Sequence, residues 1–448
     1  MVFVPLVLLL LPSGLVLQGQ IQEKAKVPPE YQQMYSTLKA SLDSYDAFLV
    51  SCSTGVNYPV VFGAELLTAN SNRGTDLLSS QAMQGVLLNL DRLRELGIQG
   101  VTFPVGYPLY TPTFPRYQEY VQFYKQVVQE VRRRDMKIDV ESSVLFGNTV
   151  FSTLTVNYAG LTFEQFKVQR KQMIATIIQD LHPDYLNLGA EPDTQYLLTG
   201  FKEFNSPEQY TAYINYVLDG LERGSTMIGA GMGTWGNMAY VQKYATGTTL
   251  DFIAMHVYPI VEQASLKRIF AIADVAKQYG KRIVLDEAWL SKADTLQATD
   301  IAADAEIFRR DAFSFWAPLD QQFLGAIVKS AQLANIEYIS PFWTTYFFSY
   351  VDYDPSNAQL PYKDLVAVVN KASAQNMIAG KFSSTAEFYK GLIGVQSSAT
   401  STTLTPLTKV SESKIQGFLG LLTIAGAAIT IGLATFTVLR RRQHQKTR

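Results

Sequence analysis

Eight short apolar runs recur between about residue 57 and residue 380, with amphipathic stretches between them. Their ends fall near Gly63 (PVVFGAE), Phe103 (GVTFPVG), Val144 (KIDVESSVLF), Glu191 (YLNLGAE), Gly233 (TMIGAGMGTW), His256 (DFIAMHVYP), Glu287 (KRIVLDEAWL) and Trp343 (IEYISPFWTTY). Such runs lack the apolar/polar alternation of a half-exposed strand, as expected of parallel strands covered on both faces. The segments 81–96, 116–134, 162–181, 207–221, 263–278 and 301–334 carry helical spacing. Strands alternating with helices specify a parallel βα architecture, and a count of eight predicts a closed (β/α)8 barrel over residues 57–395. An open doubly wound sheet is the alternative. Against it, the first run is not followed by a Gly-x-Gly-x-x-Gly, and the glycines of 229–233 lack the third glycine and helix start of a dinucleotide loop. That glycine run reads as a fifth strand packed closely on its neighbours.

Two of the apolar runs end on a glutamate. In YLNLGAEPDT, Glu191 is followed at once by Pro192, which cannot donate to a continuing ladder. In KRIVLDEAWL, 96 residues on, Glu287 holds the matching place. A barrel would carry these on strands four and seven, both at the C-terminal face where active sites of this fold lie. Paired strand-end carboxylates are what retaining glycoside hydrolysis requires. Either glutamate alone is as readily a capping or ion-pair residue; the correspondence of the two favours chemistry. Glu65 and Glu141 also fall near strand ends and read first as structural, and His182, ahead of its strand, belongs to the opposite face.

From Val60 to Thr345 the sequence resembles the clan A glycoside hydrolases, the retaining barrel enzymes that include cellulases, mannanases and endo-β-1,4-galactanases. The resemblance rests on Glu191-Pro192, on His256-Val257-Tyr258, on Glu287 and on Trp343, in that order along strands four, six, seven and eight. It implies Glu191 as acid/base, Glu287 as nucleophile, Tyr258 as hydrogen-bond donor to the nucleophile and Trp343 as an aromatic floor for the sugar. His256, Trp289, Trp235 and Asn148 are further candidates for the sugar cleft, each with a structural alternative: His256 as a satisfied polar group in the barrel, the tryptophans as core. One departure stands out. Clan members carry an asparagine before the acid/base, bonding the sugar 2-hydroxyl, and here that place is Ala190. Asn148, Asn237 or another loop residue then replaces it, or the substrate differs at carbon 2, or the barrel binds sugar without turning it over. The arginine that many members place on the second strand is also missing from 103–107.

No cofactor is expected. With Cys52 as the one cysteine, an internal disulfide and a thiolate zinc cage are excluded, and of the three histidines only His256 is placed for a barrel metal hydrolase, so no metal is expected. No strand end carries the lysine of a Schiff-base aldolase. A net charge of −1 with dispersed signs gives no reason to expect a nucleic-acid partner. An oligo- or polysaccharide is the expected partner.

Both ends carry membrane signals. Residues 1–19 read as a signal peptide, apolar but interrupted by Pro5 and Pro12; with no Lys or Arg at its start, an uncleaved anchor is the alternative. After a lead-in over 20–56 and the barrel, 396–414 is a Ser/Thr-rich stalk. Residues 415–439 are uncharged and long enough to cross a hydrocarbon core of about 30 Å at 1.5 Å per residue. Arg440, Arg441 and Arg442 begin a basic tail at 440–448, which holds that flank in the cytoplasm and predicts a single-pass protein with the barrel outside. The expected activity is a membrane-tethered retaining glycosidase on β-linked glycans; the alternative is a silent carbohydrate-binding protein on the same barrel.

Overall fold

The computed structural model of the chain describes residues 26–53, 57–149, 152–259, 263–293 and 304–399. The strands are β1 (Val61–Glu65), β2 (Gly100–Pro104), β3 (Lys137–Glu141), β4 (Tyr185–Asn187), β5 (Met227–Gly233), β6 (Phe252–Val257), β7 (Arg282–Ala288) and β8 (Tyr338–Pro341). Each pairs in parallel with the next and β8 closes on β1, giving the predicted eight-stranded barrel. The first helix, α1 (Gln32–Ser51), precedes the barrel, and the Tyr45 hydroxyl on it bonds Leu266 O and Ser330 Oγ. Between strands lie α2 (Ala82–Glu95), α3 (Tyr117–Arg132), α4 (Phe163–Leu181), α5 (Pro192–Thr199), α6 (Pro207–Leu218), α7 (Ala239–Gly247), α8 (Gln263–Gln278), α9 (Asp304–Asp311) and α10 (Ala317–Ala334). After β8 come α11 (Pro355–Ala358), α12 (Tyr362–Ala379) and α13 (Ser384–Ala399).

Local chemistry sets several boundaries. Thr162 and Gln165 cap α4 reciprocally, and Asn335 ends α10 in the left-handed conformation that asparagine tolerates. The expected single helix over 301–334 is two. Phe313 bridges to Val351 between them, and Pro318, which has no N–H to give a preceding turn, opens α10.

Large rings fill the lower barrel, and glycines on neighbouring strands make room for them. A Cβ on Gly63 would lie 2.3 Å from the Tyr338 ring, and one on Gly229 would lie 2.1 Å from the Phe252 ring. Tyr185 and Tyr338 meet there at 5.4 Å between centroids. The close packing expected of the fifth strand holds, since a Cβ on Gly231 would lie 1.9 Å from Ala254 O. With the lower barrel plugged, polar side chains collect toward the C-terminal ends of the strands.

The stalk boundary moves. Helix α13 runs through residue 399, and the Gln396 side-chain amide bonds both backbone groups of Val60, donating to its oxygen at 2.8 Å and accepting from its nitrogen at 3.2 Å. Gln396 therefore belongs to the folded unit. The expected signal peptide, the rest of the stalk, the span at 415–439 and the basic tail lie outside the described residues. Among the described residues no helix is long and apolar enough to cross a membrane.

Candidate active site

The turn after β4 delivers Glu191. The strand ends at Asn187, three residues before the expected Ala190, and the chain turns at Gly189 with φ of 144°. Only glycine suits that place, because a Cβ would also fall 2.5 Å from Gln195 Nε2 and 2.6 Å from Tyr210 Oη, two groups bonded to each other at 2.7 Å. Glu191 then stands at the start of α5, with Pro192 in the first turn. Its Oε2 accepts a hydrogen bond from Thr194 Oγ1.

Strand β7 delivers two acids at once. Regular alternation would send Asp286 and Glu287 to opposite faces, but the register slips against β6 between Ala254 and His256 and against β8 between Leu285 and Ala288. Both side chains are buried. Such an irregularity re-aims side chains where a site needs them. Glu287 Oε2 accepts the Tyr258 hydroxyl at 2.7 Å, and Asp286 Oδ2 accepts from Asn187 Nδ2.

His256, near the end of β6, joins the two glutamates. Its Nδ1 lies 2.8 Å from Glu191 Oε1 and 3.4 Å from Glu287 Oε2. The two glutamates and the imidazole each offer an atom within 4.8 Å of the others, so the acids face one another across one small space. On the far side of the ring, Nε2 lies 3.5 Å from Asp286 Oδ1 and 3.8 Å from Glu141 Oε1. Lower still, Asp139 accepts from Thr102 Oγ1 at 3.3 Å, and Glu65 accepts from Asn70 Nδ2 at 3.4 Å.

Six buried carboxylates, Glu65, Asp139, Glu141, Glu191, Asp286 and Glu287, thus surround one imidazole. Among the described residues no Lys or Arg pairs with any of them. Burial pushes Glu191 up to about 7, with the His256 hydrogen bond and charge opposing. Burial likewise raises Asp286 to about 6 against the pull of His256. Glu65, Asp139 and Glu141 are held well above the carboxylate range by burial and then by neighbouring acids. For His256, burial favours the neutral ring, yet Glu287, Asp286 and Glu191 together outweigh it and raise the imidazole to about 10.

A cleft opens over this cluster. Glu191, Glu287, His256, Glu141, Ala190 and Phe342 line it, together with Asn70, Asn72 and Phe146 from loops. The candidate aromatic and asparagine contacts fall elsewhere. Trp343 is half-buried beside Phe342 and lines a neighbouring cavity with Phe308, Asp311 and Tyr346. Trp289 is buried and stacks on Tyr346 at 5.8 Å. Trp235 donates its indole N–H to Asp193 at 2.9 Å, with its ring 6.2 Å from that of Tyr258. Asn148 sits in the loop after β3, its amide given to Val156 O. His182 caps α4 at the other end of the barrel. Sequence reading passed over Asp286, Phe342, Asn70 and Asn72; a visible signal existed only for Asp286, as an acid beside an acid.

Two groups could hold a cation: Glu191, His256 and Glu287, or Glu141, His256 and Asp286. In the first, the facing atoms already hydrogen-bond; in the second they do not.

No protein family and no curated protein matches the sequence. Solved structures do. The exo-β-1,4-mannosidase Op5Man5 of Opitutaceae bacterium strain TAV5 superposes with a TM-score of 0.50 at 14% identity, over 78% of this chain and 62% of that one. The fold shared with that enzyme is the closed (β/α)8 barrel. The barrel also aligns with GH5_18 of Bifidobacterium longum subsp. longum at a TM-score of 0.49, 14% identity and 78% and 81% of the two chains. A family 1 β-glucosidase of Thermotoga maritima aligns at 0.45, with 9% identity over 76% and 99%. The chain thus spans less than two thirds of the Opitutaceae enzyme.

Proposed function

We propose that the chain is a retaining glycoside hydrolase that cleaves β-linked glycans by double displacement. The observation that carries this reading is the facing of Glu191 and Glu287 across the cleft, with one oxygen of each carboxyl group within 4.8 Å of one on the other. Retaining pairs stand about 5 to 5.5 Å apart, whereas inverting pairs leave about 6.5 to 9.5 Å for a water. Glu287 is the nucleophile: its carboxylate bonds to the anomeric carbon as the glycosidic C–O bond breaks. Glu191, protonated because it is buried, gives its proton to the departing oxygen. Water then yields a proton to Glu191 as it attacks the glycosyl ester, returning Glu287 as carboxylate and releasing a sugar of the original anomeric form.

The surroundings support these roles. The Tyr258 hydroxyl orients Glu287, and His256 holds Glu191 by Oε1, leaving its other oxygen with Thr194. Phe342 offers the cleft an apolar face, Asn70 and Asn72 offer amides, and Trp235 stands beside Tyr258. The chain acts at the cell surface in this reading, held by the uncharged segment 415–439 with its basic flank inside. NMR of the anomeric proton in fresh product tests the mechanism, starting from β-1,4-mannosides, the class on which the Opitutaceae enzyme acts. Release of the opposite anomer first would remove Glu287 as nucleophile. Ala190 favours a second reading, a carbohydrate-binding barrel without turnover. Saturable glycan binding with no hydrolysis across a broad panel would select it.

A further inference from the structure

We propose that Glu141, His256 and Asp286 bind one divalent transition-metal ion of the zinc class beneath the paired glutamates. Three atoms carry the proposal: Glu141 Oε1, His256 Nε2 and Asp286 Oδ1 are all buried, all without a hydrogen-bond partner, and all within 4.8 Å of one another. Leaving three such atoms unsatisfied is costly, and buried polar groups are nearly always paired with protein, water or an ion.

The spacing suits an ion. Ligands about 2.0–2.2 Å from a tetrahedral zinc stand roughly 3.3–3.6 Å apart. His256 Nε2 lies 3.5 Å from Asp286 Oδ1 and 3.8 Å from Glu141 Oε1, with the three atoms within 4.8 Å of one another, so the two carboxylates close inward around an ion. One imidazole with two carboxylates is a donor set for zinc or a neighbouring transition ion, whereas calcium and magnesium prefer all-oxygen shells. The supporting bonds are also present. The other imidazole nitrogen meets Glu191 Oε1 at 2.8 Å, and the other Asp286 oxygen is held by Asn187. Metal-bound histidines and carboxylates are oriented by such outer bonds. Charge points the same way, because six buried acids share a single imidazole. A divalent ion replacing the Nε2 proton would offset more of that charge. The cleft gives access, since Glu141 and His256 both line it. The alternative triplet is disfavoured because Glu191 Oε1 and Glu287 Oε2 are already occupied by His256 and Tyr258.

The test needs no substrate, so its outcome is independent of whether the chain hydrolyses glycans. Full-length protein is stripped with a chelator, dialysed and titrated with zinc chloride by calorimetry, with melting followed in parallel. We expect one ion per chain, micromolar or tighter binding, a melting temperature raised by several degrees, and no response to magnesium or calcium. Glu141→Gln and Asp286→Asn should each weaken binding by at least about 10-fold. Cobalt added to the wild type should give the visible absorption of a tetrahedral site. Absence of saturable zinc binding below about 100 µM would overturn the proposal, as would binding unchanged in both variants. Binding lost in Glu287→Gln but kept in Glu141→Gln would place the ion on the other triplet and equally overturn it. If a variant fails to fold, the wild-type cobalt spectrum decides: without ligand-field bands there is no such site.

Discussion

Tyr258 and Glu287 come from neighbouring strands, and the phenol donates to the carboxylate at 2.7 Å. Burial and the Glu287 charge hold the phenol well above its usual range, so it stays a donor. A hydrogen bond to a charged group contributes about 1.5–3 kcal/mol. Tyr258→Phe should therefore slow formation or breakdown of the glycosyl-enzyme by roughly 10- to 100-fold in kcat while KM changes little. Steady-state kinetics on a β-glycoside panel checks this; an unchanged kcat would mean the bond does not orient the nucleophile.

Glu287→Gln and Glu191→Gln should separate by leaving group. The first should remove nearly all turnover on every substrate, because the covalent step has no nucleophile. The second should be severe on unactivated glycans and mild on aryl glycosides, whose leaving groups need little protonation. For Glu191→Gln the glycosyl-enzyme should accumulate and appear in intact-protein mass spectra. Equal losses on both substrate types would contradict the acid role.

Ala190 lines the cleft where a 2-hydroxyl partner would stand. Neither expected substitute is placed for that work: Asn148 gives its amide to Val156 O, and Asn237 is not among the residues that line the cleft. Asn72 is better placed. It lines the cleft, and with its Oδ1 accepting from Phe146 N at 2.9 Å its amide nitrogen remains available as a donor. A 2-deoxy substrate should cost the wild type less than about 10-fold in kcat/KM, since no strong transition-state bond is lost. Asn72→Ala should leave that ratio closer to one. A large penalty surviving in Asn72→Ala would show that another group holds the 2-hydroxyl.

Lys292, fully buried, pairs with Asp311 at 2.8 Å and with Asp320. One cation serves two acids, and burial pushes Asp311 up to about 7 despite Lys292. A carboxyl raised on folding binds a proton more tightly in the native state, so its contribution is fullest below the unfolded value of about 3.9 and is lost as pH rises toward 7. Asp311→Asn should remove that loss: relative to wild type, the variant gains stability between pH 4 and 7. Urea unfolding at several pH values would read this as a difference curve. A curve flat with pH would rule out Asp311 as a titrating group in that window.

The fold boundary makes a fifth prediction. A chain ended after Thr400 keeps Gln396 and should be released from membranes as a soluble, folded barrel, whereas one ended after Val395 loses both bonds to Val60 and should melt several degrees lower. Equal melting temperatures would show that Gln396 is dispensable. Protease added outside intact cells should reach the barrel of the full chain; protection would contradict the surface reading.

Much of this was legible in the sequence, for identifiable reasons. Eight buried strands and their helices announce themselves by apolar period, and Glu191-Pro192 with His256-Val257-Tyr258 fix three of the site's side chains. Two of the residues that were not legible lie one position from ones that were. The slip in β7 turns Asp286 inward beside Glu287, and the turn after β8 offers Phe342 rather than Trp343 to the cleft. A register irregularity depends on neighbouring strands, so periodicity within one strand does not reveal it. The same holds for Gln396, whose serine-rich neighbours suggest a stalk while its partner lies 336 residues away.

The clasp between Gln396 and Val60 also sets a direction. Val60 immediately precedes β1, so the last described helix ends at the barrel's floor, while Glu191 and Glu287 open at its roof. The cleft thus opens on the side of the barrel opposite the end of the last described helix.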